Sequence, residues 1–93
     1  MIQHFASKET EKLFNRESSR KLPQSIQRIA RRKLAILDAA ESLQDVRIPP
    51  SNHLEKLSGD RAHQHSIRIN KQWRICFAWR DGHSYEVEIT DYH

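Results

Sequence analysis

The 93-residue sequence holds a single cysteine, Cys76, which can close no internal disulfide. A disulfide-stapled secreted scaffold is therefore excluded. Cys76 lies between Ile75 and Phe77, an ordinary place for a small buried thiol in a reducing compartment. No uncharged apolar stretch is long enough to span a bilayer, and the opening MIQHFASKET lacks the basic-then-apolar order of a secretory leader. A cytoplasmic protein with no membrane partner is expected. Glycine occurs only twice, and at 37% hydrophobic and 30% charged the composition is that of a globular chain, read as one domain over residues 1–93. Acid is in short supply: 16 Lys and Arg face 12 Asp and Glu, for a formal charge of +4. Such an excess favours an anionic partner, nucleic acid first, and is silent about fold.

What is present has two periods. Met1 to Phe5 is compatible with a short first strand, and Ser7 is placed to cap a helix whose buried face is Leu13 and Phe14. Pro23 suits the first turn of a second helix, in which Ile26, Ile29, Ala30, Leu34, Leu37, Ala40 and Leu43 form one apolar stripe. Arg31, Arg32 and Lys33 are expected on its solvated side, where they can also grip RNA phosphates. Pro49 and Pro50 are expected to bar helical geometry at Ile48 and to turn the chain into a loop running from Arg47 to Asp60.

Beyond Gly59 the period becomes two. Ile67 and Ile69, then Trp73, Ile75, Phe77 and Trp79, then Tyr85, Val87 and Ile89 alternate with polar neighbours, and Asp81-Gly82 marks a tight hairpin. The expectation is a meander of three antiparallel strands, its apolar side under the long helix. Arg68, Arg74, Glu86 and Glu88 would then share the opposite side, open to a ligand. Between Arg61 and Arg80 the charged residues are the bases Arg61, Arg68, Lys71, Arg74 and Arg80, with His63 and His65 beside them and no acid; the acids Asp81, Glu86, Glu88 and Asp91 follow. Two readings fit this segregation: an anion site, or ordinary cross-strand pairing of arginine with glutamate.

Three strings go further: PPSNHLEKLSGDR at 49–61, HSIRINKQWRICFAW at 65–79 and EVEITDYH at 86–93. They resemble the HigB "killer" toxins of bacterial toxin-antitoxin systems, within the RelE/ParE superfamily, over nearly the whole chain. The resemblance implies an α+β, RelE-like compact domain, with an N-terminal strand and two helices packed on one face of a twisted antiparallel sheet. It implies a ribosome-dependent mRNA endonuclease that inhibits translation. The implied partners are a HigA-like helix-turn-helix antitoxin, the 70S ribosome and mRNA, with DNA reached only through the antitoxin.

Cutting RNA without a metal calls for a base to activate the 2'-hydroxyl, cations for the phosphorane-like transition state, and an acid for the departing 5'-oxygen. Histidine titrates near neutrality, so His93 is the expected proton carrier, with Asp91 to orient it and Tyr92 to stack or donate a hydrogen bond. Arg74 offers a planar fork for phosphate and Arg68 a second cation on its side. Arg61, Lys71, His53 and Lys56 are expected to contact RNA, and Glu55 is an alternative base. His63 and His65 have no Cys or carboxylate at metal-ligand spacing, so neither metal nor other cofactor is expected. The competing expectation is a catalytically weak or inactive module that binds RNA and antitoxin and acts as a co-repressor.

Overall fold

The computed structural model describes residues 1–91. Helix α1 spans Lys8–Phe14; the Ser7 hydroxyl accepts the Thr10 amide, as expected of an N-cap, and Glu9 and Glu11 sit in the positive first turn. Thr10, fully buried, uses its own hydroxyl oxygen to accept the Ile89 amide at 2.9 Å, which ties α1 to the last strand. Helix α2 spans Gln24–Ala39 and buries Ile26, Ala30, Leu34 and Leu37, the expected stripe.

The stripe does not run on to Leu43. The backbone leaves helical geometry at Ala40, and Leu43 opens a separate helix, α3, over Leu43–Arg47. The break is enforced by a reciprocal cap, in which Ser42 accepts the Asp45 amide while the Asp45 carboxylate accepts the Ser42 amide. Ile48 is helical after all, with φ −54° and ψ −47°. Its amide still donates to the Gln44 carbonyl, so the proline restriction is absorbed at a helix end, and the chain turns one residue later, at Pro49.

The expected loop also contains a strand. β1, Glu55–Lys56, pairs antiparallel with β2, Gln64–Arg68; β3, Trp73–Arg80, and β4, His83–Asp91, complete a four-stranded sheet in the order β1-β2-β3-β4. Two charged residues carry no alternation, which is why β1 has no signature in the sequence. The Asp81-Gly82 turn has φ of 52° and 81° between the paired Arg80 and His83, the geometry that Asp-Gly predicts. The Asn70 carboxamide oxygen accepts the amides of Gln72 and Trp73, both at 2.8 Å, and so supplies the turn that lacks a glycine. The expected first strand is reduced to two parallel bridges, Ile2 with Ser84 and Phe5 with Val87.

Between those bridges lies a β-bulge that alters the face assignment. Ala78 pairs with Tyr85 and Cys76 with Glu88, so the single residue Phe77 stands opposite both Glu86 and Val87, and Glu86 takes φ 54°. The extra residue reverses parity for the start of β4. Tyr85 is therefore not under the helices, as alternation alone requires; it shares the other face with Arg80, whose guanidinium sits 4.2 Å from its ring centre. Val87, beyond the bulge, returns to the core with Ile67, Ile75 and Phe77, all fully buried against α2.

Candidate nucleic-acid interface

The sheet face away from α2 is not uniformly open. Ser66, Cys76 and Ala78 are buried along its middle, and Arg74 is buried near one end. The cause lies in how the long polar side chains fold. Arg74 is 7% exposed and doubles back across the neighbouring strand, donating from Nε to the Ser66 hydroxyl at 2.7 Å and from Nη2 to the His53 carbonyl at 2.6 Å and the Ser66 carbonyl at 3.3 Å. His53 can present its carbonyl there because it adopts left-handed geometry, with φ 44°, at the end of the Pro50–Asn52 turn. Neutral oxygens thus fix the fork of Arg74, and the half-exposed Glu55 carboxylate lies 3.9 Å away. The fork is thus held in one orientation by fixed dipoles, with a carboxylate nearby.

Register brings more positive charge to this end. Arg68 is the cross-strand partner of Arg74, so the two stand side by side. Like charges placed directly opposite in a sheet repel, a cost that an anion bound between them would remove. Lys33, expected on a solvated helix face, is in fact 5% exposed, its ammonium donating to the Ser51 carbonyl at 3.2 Å. Burial, and then Arg32, Arg68 and Arg74, push its pKa below the usual lysine value. One signal for Lys33 exists in the sequence: it stands four residues from both Ile29 and Leu37, at the margin of the apolar stripe.

The other expected residues are dispersed. Arg61 donates to the Gln64 carboxamide at 2.9 Å and pairs with Glu88 at 3.1 Å, while His63 meets Glu86 at 3.4 Å. Lys71 is exposed in the β2–β3 turn. Lys56 is in register with His65, on the helix side of the sheet, whereas Glu55 is in register with Ser66, on the Arg74 side. His65 lies on the helix side of the sheet and stacks on Phe77 with 6.0 Å between ring centres, and burial followed by Lys56 and Arg47 lowers its pKa. Asp91 closes β4 opposite Trp73 and accepts the Gln72 carboxamide at 3.1 Å. Tyr92 and His93 lie outside the described residues.

Similarity to known proteins adds what geometry cannot. Residues 3–93 match the family model described as the RelE-like toxin of type II toxin-antitoxin system HigB. The chain is 43% identical over 83 residues to Toxin HigB-1 of Vibrio cholerae serotype O1, covering 88% of this chain and 87% of that protein. It is 36% identical over 76 residues to an uncharacterized protein of Haemophilus influenzae, covering 72% and 75% respectively.

Proposed function

We propose, from the premise that the chain belongs to the HigB family of RelE-like toxins of type II toxin-antitoxin systems, that it is an endoribonuclease that cuts mRNA on the ribosome and thereby stops translation. Membership implies an antitoxin partner, and a HigA-like helix-turn-helix protein is the expected one. The observation that carries the reading is the immobilised Arg74 fork, buried beside Arg68 at the end of the sheet where β4 delivers Asp91.

In the reaction, the 2'-hydroxyl loses its proton to a base and attacks the adjacent phosphorus; the bond to the 5'-oxygen breaks, and an acid returns a proton to that oxygen. The products are a 2',3'-cyclic phosphate and a 5'-hydroxyl end. Charge on the non-bridging oxygens grows toward the transition state, and a guanidinium already fixed by Ser66 and His53 can meet it without reorganising. Rigid placement also limits the entropy lost on engaging phosphate. His93 is the proton carrier in this scheme, Tyr92 supports the leaving group or stacks on a base, and Asp91 orients the imidazole. Glu55, half-exposed and in register with Ser66 on the Arg74 side, is the second proton carrier in this scheme.

Expression of the chain in bacteria, with transcript 5' ends mapped within minutes of induction, tests the proposal. New 5'-hydroxyl ends inside translated messages are expected, absent when the antitoxin is co-expressed or when ribosomes are kept off the message. Arrested growth with intact messages would refute nuclease action and leave a toxin that works by binding.

A further inference from the structure

The buried lysine has a cleft in front of it. Between α2 and the β2–β3 turn lies an opening of about 340 Å³ lined by Arg32, Lys33, Ser51, His53, Arg68 and Asn70, with Ile29 and Ile69 as its apolar wall. That volume suits a small ligand group, a phosphate with part of its sugar. Its charge is of one sign. Lys33 has three N–H donors; one goes to the Ser51 carbonyl, and among the described residues no carboxylate lies within 4 Å of it. A lysine this buried is normally paired. Arg32 contributes a second cation from the helix, Arg68 a third from the sheet, and the Arg74 fork adjoins through the shared residues His53 and Arg68.

We propose that this cleft is a second phosphodiester subsite, in which Lys33 and Arg68, with Arg32 at the rim, hold a backbone phosphate of the RNA strand next to the one engaged by Arg74. The inference rests on the RNA-cleaving reading and specifies how the strand is held. Lys33 is a positioning residue: fixing the neighbouring phosphate sets the strand's register against the fork. The lowered lysine pKa agrees with a cation that lacks its counter-ion until the strand arrives. The alternative role for Lys33 is a tether that does no more than hold the Ser51 loop to α2.

A single-stranded RNA oligonucleotide, 2'-O-methylated throughout so that it cannot be cut, separates these roles when its binding is followed by fluorescence anisotropy across a salt series. For Lys33→Met the salt slope is expected to become shallower by about 0.7, the value for one phosphate contact to a single strand, with affinity near 0.1 M salt reduced about fivefold. Arg68→Met should do the same, and Lys33→Arg should retain the wild-type slope. A folded Lys33→Met protein with wild-type slope and affinity overturns the subsite and leaves the tether. So does a Lys33→Met protein that loses only antitoxin binding, or wild-type protein that binds inorganic phosphate as tightly as the oligonucleotide, since a free anion would then be the ligand. Should Lys33→Met fail to fold, an unchanged slope in Arg68→Met overturns the subsite equally. Wild-type protein that never cuts messages while Lys33→Met still flattens the slope refutes the nuclease proposal and sustains the subsite.

Discussion

The two ends of the sheet face opposite α2 carry similar side chains to opposite electrostatic outcomes. At one end Arg61 meets Glu88, His63 meets Glu86, and Arg80 lies over the Tyr85 ring, so cations find partners one by one. At the other, Arg68 faces Arg74, both raise the positive field at Lys33, and a Glu55 carboxylate oxygen lies 3.9 Å from Arg74. Cross-strand pairing of the segregated charge is what the first end shows, and the proposed anion site lies at the second. What separates them is register: an antiparallel ladder decides which residue stands opposite which, and one pairing neutralises charge where another accumulates it.

The sharpest way to break the contrast is at Arg74. Arg74→Gln removes the fixed cation, and loss of one preorganised donor to a developing oxyanion costs about 10²–10³-fold in rate. Message cleavage should fall by that amount. Its burial makes folding a concern, because Ser66 and the His53 carbonyl lose their donor, so Arg74→Lys serves beside it: charge is kept but the fork is lost, and cleavage should fall less steeply.

A smaller effect is expected from erasing the neutralised end. Glu88→Gln releases Arg61, and the salt slope for the methylated RNA should steepen by about 0.7 if the freed guanidinium finds a phosphate. Stability should change by no more than about 1 kcal/mol, since both side chains of the pair keep about a third or more of their surface in solvent. An unchanged slope would mean that RNA does not reach this end of the face.

The smallest effect concerns pH. The folded pKa of His65 lies below the ordinary histidine value of 6.5, so the unfolded chain takes up a proton that the folded chain resists. The stability associated with this group is therefore complete above 6.5 and declines as pH falls through the window down to the lowered folded value. Denaturant midpoints measured between pH 7 and pH 5 should drop, and in His65→Phe, which keeps the stack on Phe77, this contribution should vanish. A drop of equal size in His65→Phe would assign the acid sensitivity to other groups.

Much of the framework was legible beforehand because it rests on local rules. The Ser7 cap, the α2 stripe from Ile26 to Leu37, the Asp81-Gly82 hairpin and the core alternation of Ile67, Ile75 and Phe77 follow from backbone geometry and hydrophobic period. The Ser42 to Asp45 cap was equally local and was hidden by a stripe that continued in register across it. Nothing local announces β1, whose two charged residues become a strand only because β2 is there to pair with.

For the candidate site the division is sharper. Which residue types are available for phosphate chemistry, and that Arg68 and Arg74 share a side of the sheet, is contained in the sequence, because strand parity is an arithmetic property of position. That Arg74 is buried and clamped, that Lys33 is buried against the Ser51 carbonyl, and that Tyr85 changes sides at a bulge were decided by the fold. The physical reason is range. Period and capping act over a few residues, whereas the field at the proposed phosphate subsite sums charges from α2, the β2–β3 strands and the loop at His53, which only packing brings together.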